Sequence, residues 1–310
     1  FAEYARRFGK VQAQAGFRYE HITSDYYEYD KKVEEQSRKY DHLFPSFALS
    51  FPLGKVQMQL AYRASIKRPS YWDLRSNITY ANRYTYETGN PLLQPTTIQS
   101  LSLNTIYRWM SLSLSYNHYK NDYTSYVRAY SEENPTIGLL TREHIAPYNR
   151  LSASLTLSPV IGKWSPRWGV QVQRYDCKVD TPRGVETFDN PRAILSWRNT
   201  VKFTDSFWIN ADAYYQTKSQ IDNTEYLENS WYMNLNLYKG FLNNRMSLQL
   251  QVTDLFNTRK SHVLMYSGLR TMELDNEMHR TVSLTFRYKF NPTKSKYKGT
   301  GAGQSQKARM

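Results

Sequence analysis

The chain has 310 residues, of which 40% are hydrophobic, 15% aromatic and 22% charged, and its formal net charge is +14. A mean hydropathy of -0.71, with no run of roughly 18 apolar residues, excludes membrane-spanning helices. Cys177 is the only cysteine, which excludes an internal disulfide and a cysteine-based metal cluster.

The positive charge is spread along the chain and does not form one basic patch. Five cations lie in the last segment, at Lys294, Lys296, Lys298, Lys307 and Arg309, and many others alternate singly with apolar residues. Nucleic-acid binding requires clustered Lys and Arg that neutralise phosphates. We therefore predict no nucleic-acid partner.

A period of two recurs through the whole chain, which is typical of strands with one apolar and one polar face. After a partial strand at residues 1–7, the pattern predicts twelve strands near residues 10–21, 42–51, 55–66, 97–107, 111–120, 149–159, 167–178, 192–203, 207–217, 230–238, 245–254 and 280–290. Many of these segments have about the 9 to 11 residues that cross a bilayer at a tilt.

The connections between these strands alternate in length. Short turns such as 52–55, 108–110, 204–206 and 240–244 alternate with long polar segments at 22–41, 67–96, 121–148, 179–191, 218–229 and 255–279. Outer-membrane barrels have short periplasmic turns and long extracellular loops. The fold prediction is therefore an all-β transmembrane antiparallel β-barrel, present here as a partial barrel of about 12 to 13 strands without a plug.

Tryptophans lie near many predicted strand ends, where the aromatic girdles of a membrane barrel would be. They are Trp109, Trp164, Trp168, Trp197, Trp208 and Trp231. A single tryptophan would fit the core of a soluble sandwich equally well. A surface β-sandwich used for adhesion or binding therefore remains the alternative fold.

A family resemblance is carried by the segment RASIKRPSYWDLRSNITYANRYTYETGNPLLQPTT after the third predicted strand. Its most specific residues are Arg68, Pro69, Tyr71, Leu74, Tyr84, Gly89, Asn90, Pro91, Leu92 and Pro95. AGFRYE at 15–20, DLFNT at 254–258 and the LTFRYKF strand near the end add to the likeness. Together these motifs resemble the outer membrane protein beta-barrel family of TonB-dependent receptors.

The resemblance implies a barrel of about 22 strands around an amino-terminal plug, which imports a nutrient with energy delivered through TonB. The implied partners are outer-membrane lipid, the chain's own plug and remaining strands, the TonB system and an unknown nutrient ligand. We expect the plug, the TonB-contacting segment and the first strands to lie outside this sequence. The implied location is the outer membrane.

Two sets of residues are candidates for binding. The outer loop of the family motif offers Arg68, Tyr71, Trp72, Tyr84, Tyr86 and Asn90 as ligand contacts. The polar strand face offers Arg18, Arg63, Arg150, Arg174, Arg198 and Arg287 as residues directed into the lumen toward the plug or an anionic ligand. Within GNPLLQP, Gly89 is expected to supply backbone freedom for a chain reversal.

The sequence predicts no catalytic residues, no metal ligands and no cofactor. The six histidines are scattered without metal-binding spacing, and no nucleophile is fixed beside a base. The GTGAG segment at 299–303 lacks the following helix pattern that a phosphate-binding loop needs. A hydrolase with its site at the barrel rim is the alternative enzyme class.

Two regions follow from the patterning. Residues 1–290 are expected to form the carboxy-terminal portion of the barrel. Residues 291–310 lack apolar periodicity and are expected to be a flexible, basic, glycine-containing tail.

Overall fold

The computed structural model describes residues 1–35 and 37–290. The tail predicted at 291–310 lies outside these residues. The described residues form no helix that is long and apolar enough to cross a bilayer.

The described residues form 25 strands. In chain order they are β1 (Ala2–Phe8), β2 (Val11–Ser24), β3 (Tyr27–Glu28), β4 (Lys31–Lys32), β5 (Arg38–Leu53), β6 (Val56–Lys67), β7 (Thr79–Asn82), β8 (Thr85–Glu87), β9 (Thr96–Tyr107), β10 (Met110–Lys120), β11 (Tyr123–Ala129), β12 (Gly138–His144), β13 (Tyr148–Leu157), β14 (Trp164–Tyr175), β15 (Cys177–Thr181), β16 (Gly184–Phe188), β17 (Arg192–Thr204), β18 (Phe207–Gln216), β19 (Ser219–Ile221), β20 (Thr224–Tyr226), β21 (Ser230–Phe241), β22 (Met246–Thr253), β23 (Lys260–Ser267), β24 (Arg270–Glu277) and β25 (Thr281–Tyr288).

Thirteen of the strands form one antiparallel sheet, in the order β1-β2-β5-β6-β9-β10-β13-β14-β17-β18-β21-β22-β25. Each strand pairs with the next one along this order, so alternate connections lie at opposite ends of the sheet. Six connections are short, and six are long and carry the remaining strands. Within the described residues, the edge strands β1 and β25 each pair on one side only. This architecture confirms the predicted all-β barrel wall, although the described sheet is not closed.

Cross-strand pairing gathers the alternating side chains into two faces. One row joins Leu60, Leu103, Leu114, Ala153 and Val172 across five strands. The neighbouring row joins Ala61, Ser102, Ser115, Ser152 and Gln173. Because side chains alternate along a strand, the first row belongs to an apolar face and the second to a polar face.

The apolar face is uncovered along the middle of the strands. Leu101, Leu114, Leu151, Leu195 and Trp197 are each more than one third exposed. A soluble chain rarely leaves so continuous an apolar surface in contact with water. The exposure excludes a second sheet packed on this face, so the sandwich alternative is wrong.

The buried core lies at the loop end of the sheet. Its members are Tyr119, Tyr148, Cys177, Val179, Phe188 and Tyr266. Tyr119 and Tyr148 are stacked with centroids 4.7 Å apart, and Phe188 meets Tyr266 edge-on at 5.5 Å. Loop strands β15, β16 and β23 therefore pack onto the ends of β10 and β13.

The tryptophans follow the girdle prediction only in part. Trp109 and Trp164 lie at the short-turn end of the sheet, and Trp231 lies at the long-loop end. Trp168 and Trp197 pair with each other farther along their strands. Trp208 lies on the polar face and stacks on Tyr238 at 5.2 Å, so the girdle prediction for this residue is wrong.

Candidate functional site

The long loops join one another at their end of the sheet. Strands β11, β12, β8 and β7 form one sheet, in which β12 pairs with β8 in parallel, and β19, β20, β23 and β24 form another. A bridge between Val127 and Gly268 links the two sheets. Backbone pairing therefore joins four of the six loops. A backbone hydrogen bond from Gln220 N to Asn190 O, at 3.1 Å, adds the loop that contains β15 and β16. We call this assembly of five loops the loop cap.

Arg68 lies directly after β6 and turns toward the polar face. Its guanidinium pairs with the Glu20 carboxylate, whose other oxygen lies 3.1 Å from Arg18 Nη2. One carboxylate thus holds two arginines together. Arg68 and Arg18, which the sequence assigns to separate groups, belong to a single ion-pair cluster.

Tyr71 and Trp72 are adjacent, strongly exposed aromatic residues of the family motif. The Tyr71 side chain is 93% exposed and that of Trp72 is 64% exposed. The guanidinium of Arg75 lies 3.4 Å from the Trp72 ring centroid. Both rings are therefore accessible to a ligand in solution.

Tyr84 immediately precedes β8, and Tyr86 lies within it. The two side chains differ in their surroundings. Tyr86 stacks on Tyr130 with centroids 4.7 Å apart. The backbone oxygen of Tyr84 accepts a hydrogen bond from Arg270 Nη2 at 2.6 Å, while its ring is half exposed. The Tyr84 backbone therefore joins two loops, and only its ring is free for a ligand.

The GNPLLQP segment packs against the chain that precedes it. A Cβ on Gly89 would lie 2.5 Å from the Asp73 backbone oxygen, yet Gly89 does not have a positive φ. The predicted need for unusual backbone angles is wrong, and close backbone approach explains the glycine instead. Asn90 Nδ2 donates to the Arg142 oxygen at 2.8 Å, and its Oδ1 accepts from Leu92 N at 2.9 Å. Both polar atoms of Asn90 are therefore engaged in loop structure.

Asp73 connects the family motif to β11 and β12. Its Oδ1 accepts from Arg142 Nε at 2.9 Å, and its Oδ2 accepts from the Ser70 hydroxyl at 2.6 Å. Partial burial would raise the pKa of Asp73, but the hydrogen bonds from Ser70 and Arg142 outweigh it and hold the pKa below its usual range. The carboxylate is therefore charged at neutral pH.

A cavity of about 400 Å³ lies within the loop cap, between the β11–β12, β15–β16 and β19–β20 hairpins and β23. Its lining includes the carboxylates of Glu143, Asp180 and Asp222 and the Tyr126 side chain. Burial raises the pKa of Asp222, and the nearby Asp122 carboxylate adds to the shift. Such a mixture of acceptors and donors suits a polar ligand held by hydrogen bonds.

Three side chains on β23 and β24 could hold a metal ion. The ligand atoms of His262, Glu273 and Asp275 lie within 4.8 Å of one another, and His262 Nε2 is 2.6 Å from Glu273 Oε1. His262 lies opposite Asp275 across the hairpin, and Glu273 is two residues from Asp275. Sequence spacing does not reveal this group, because strand pairing creates it.

The other predicted arginines fall on both faces of the sheet. Arg63, Arg150, Arg198 and Arg287 lie on the polar face with Arg18. Arg174 lies on the apolar face, opposite Leu151, and its prediction as a lumen residue is wrong. It is the last residue but one of β14, where Arg174 Nη2 lies 2.9 Å from Asp189 Oδ2.

The DLFNT motif forms a turn that closes over the polar face after β22. Asp254 is fully buried, and its two oxygens accept backbone hydrogen bonds from Thr258 and Arg259, each at 2.9 Å. Asp254 and Asn257 both have positive φ values, of 52° and 57°. The motif thus fixes the path of the chain into Arg259, whose guanidinium lies 4.4 Å from the Tyr232 ring centroid.

Comparison with known proteins gives one family and several solved structures. The outer membrane protein beta-barrel family matches residues 1–288. No curated protein matches the chain.

The similar solved structures are siderophore receptors and an iron transporter. A ferric enterobactin receptor from Pseudomonas aeruginosa, in complex with enterobactin, is 17% identical, with a TM-score of 0.55 over 90% of this chain and 42% of that one. The siderophore receptor PirA from Acinetobacter baumannii is 11% identical, with a TM-score of 0.56 over 93% and 45%. The FrpB iron transporter from Neisseria meningitidis is 13% identical, with a TM-score of 0.59 over 93% and 44%. The chain spans less than half the length of these structures, and at these identities the likeness shows the fold.

Proposed function

Because this chain belongs to the outer membrane protein beta-barrel family, we propose that it forms the carboxy-terminal wall of a TonB-dependent receptor that imports a nutrient. The chain is an outer-membrane protein. The observation that carries the proposal is the pair of faces on one continuous 13-stranded sheet, apolar on one side and polar on the other.

The apolar face supports contact with lipid. In hydrocarbon, exposed leucines and tryptophans are favourable, whereas unpaired backbone groups at a sheet edge are costly. The open edges at β1 and β25 therefore favour pairing with further strands that complete the barrel. We propose that residues 1–290 form this wall.

The polar face supports contact with a plug. Arg63, Arg150, Arg198 and Arg287 lie along this face, together with the Arg18–Glu20–Arg68 cluster. Arginines can pair bidentately with carboxylates, so an acidic plug surface is their expected partner. Coupling to TonB would take place through the plug and not through this wall.

The loop cap supports nutrient capture. Tyr71 and Trp72 are exposed, the Tyr84 ring is half exposed, and the cavity in the cap has polar walls. Aromatic rings with polar groups around a concave site are common in small-molecule recognition. The named relatives are receptors for ferric enterobactin or other siderophores and an iron transporter, which supports uptake as the role and transport rather than catalysis.

The test is genetic and uses the full-length receptor in its host. The gene is deleted alone, together with TonB, and complemented, and growth is measured with iron chelate, cobalamin, glycan or peptide limiting in turn. We expect the receptor deletion to slow growth when one of these nutrients is limiting. Deleting TonB as well should not slow growth on that nutrient further. Recovery of the protein in the soluble fraction without detergent, or a defect that is independent of TonB, would refute the proposal.

A further inference from the structure

A second cavity, of about 300 Å³, lies on the polar face where β17, β18 and β21 meet the loops. We call it the cationic pocket. The residues that line it include Arg192, Tyr214, Gln216, Tyr226, Tyr232, Arg259 and Lys260. Arg192, Tyr214, Gln216 and Tyr232 come from the polar face, while Tyr226, Arg259 and Lys260 come from the loop cap. Among the described residues, no carboxylate side chain lines this pocket.

Tyrosine rings fix the orientation of both arginines. Arg259 Cζ lies 4.4 Å from the Tyr232 centroid, and Arg192 Cζ lies 5.3 Å from the Tyr226 centroid. Tyr232 is itself stacked on Tyr214 at 5.1 Å. A guanidinium that rests on an aromatic face keeps its N–H groups directed outward along its edge.

The two arginines of the pocket have no carboxylate partner within the described chain. Neither Arg192 nor Arg259 has a carboxylate oxygen within 4.0 Å there, and Lys260 Nζ is 3.8 Å from Glu228 Oε2 in an exposed pair. Arg192 Nη2 donates to Gln216 Oε1 at 2.7 Å, but its Nε is buried without a partner. Buried charged donors normally have acceptors, so the missing acceptor points to a ligand.

We propose that the cationic pocket binds a small organic anion through planar carboxylate groups. Guanidinium edges match a carboxylate bidentately, and the lysine supplies a third positive charge. The inference rests on the proposed function for access, because the pocket opens to the transport path only if the polar face lines a lumen. The backbone hydrogen bonds to Asp254 make that residue a positioning residue for Arg259.

The experiment uses the full-length receptor, purified in neutral detergent, with benzene-1,3,5-tricarboxylate as probe. Its three carboxylates match the three cations, and the uncharged benzene-1,3,5-tricarboxamide has the same shape. Binding is measured by isothermal titration calorimetry for the wild type, Arg192→Met, Arg259→Met and the control Lys202→Met. Lys202 lies near the short turns and pairs with Asp205, so its variant removes one charge away from the pocket.

We expect saturable binding of the tricarboxylate to the wild type and to Lys202→Met, and none of the tricarboxamide. Each pocket variant should bind at least about tenfold more weakly, because it loses a charge-assisted hydrogen bond to a carboxylate. Circular dichroism melting verifies that each variant is folded.

Equal binding by Arg259→Met and the wild type, or equal binding of the tricarboxamide, would overturn the proposal. No binding by a wild-type receptor that is correctly located in the outer membrane would overturn it as well, and would leave the proposed function standing. In that case a lower melting temperature of both pocket variants, but not of Lys202→Met, would assign the arginines a purely structural role.

Discussion

Asp73 shows how one side chain in the family motif couples distant segments. It accepts hydrogen bonds from Ser70 and Arg142, and Tyr123 Oη lies 3.4 Å from Asp73 Oδ2. Its side chain is only 15% exposed, so solvent screens the ion pair less than it would at an open surface. Removal of the charge should therefore loosen the contact between two loops.

The variant Asp73→Asn is expected to lower the free energy of local opening at residues 70–75 and 141–143 by about 1 to 3 kcal/mol. Hydrogen exchange, corrected for intrinsic rates, measures this change. Because the folded pKa is lowered, the stabilisation is full above the unfolded-state pKa of 3.8 and is lost as the pH falls through the folded pKa. Asp73→Asn should abolish that acid dependence, whereas the exposed control Asp205→Asn should leave it intact. Protection that is unchanged in Asp73→Asn would contradict the assignment.

Asp254 is the residue on which the DLFNT turn depends. Asp254→Ala would leave the N–H groups of Thr258 and Arg259 without their acceptor, which costs about 1 to 3 kcal/mol for a buried donor. We expect tryptic cleavage after Arg259 to become at least roughly fivefold faster, because 1 kcal/mol changes an opening equilibrium by about that factor. The exposed Asp275→Ala serves as control. Equal cleavage rates in the two variants would show that Asp254 does not anchor the turn.

The role of a residue was predictable where it depends on which face of the sheet the side chain occupies. It was not predictable where it depends on a partner that is distant in sequence. The period of two correctly assigned Arg63 and Arg150 to the polar face, since strand geometry alone fixes that choice. It could not reveal that Glu20 pairs with Arg68, because 48 residues separate the partners. Arg174 shares the phase of Val170 and Val172, and only its position at a strand end permits a charge there.

At the scale of the element, β10 tests the assignment of faces. Leu114 lies on the apolar face between Leu103 and Ala153, and Ser115 lies on the polar face between Ser102 and Ser152. Leu114→Arg should lower the free energy of unfolding in lipid vesicles by roughly 2 to 4 kcal/mol, the cost of arginine near the bilayer midplane. Ser115→Arg is the matched control and should cost much less, because it enters a polar interior. Similar costs in both variants would contradict the two faces.

The long strands and the loop hairpins differ in how far the sequence predicts them. All thirteen strands of the wall were predicted, because apolar and polar residues alternate along them. The hairpins inside the six loops were predicted only as polar segments. Strands as short as Tyr27–Glu28 or Ser219–Ile221 contain too few residues to show a period.

At the scale of the whole molecule, the loop cap required information that no local pattern carries. The parallel pairing of β12 with β8 and the bridge from Val127 to Gly268 join loops through contacts that are remote in sequence. The cationic pocket likewise combines three strands of the wall with Tyr226 of β20 and with residues after β22. Alternating loop lengths predicted on which end of the sheet these residues lie, and tertiary packing decided which of them meet.

The same alternation gives a prediction for orientation, in which the six long loops lie outside the cell and the short turns face the periplasm. Single cysteines at Tyr71→Cys and Asp205→Cys test the two ends, because these side chains are 93% and 94% exposed. The native thiol should not interfere, since burial, with Asp222 and Asp122 nearby, raises the pKa of Cys177 to about 12 and keeps it protonated. We expect a membrane-impermeant maleimide to label Tyr71→Cys on intact cells, and to label Asp205→Cys only after the outer membrane is permeabilised. Labelling of Asp205→Cys on intact cells would show that the orientation is the reverse. The loop cap and its exposed rings would then face the periplasm, which an incoming nutrient does not meet first.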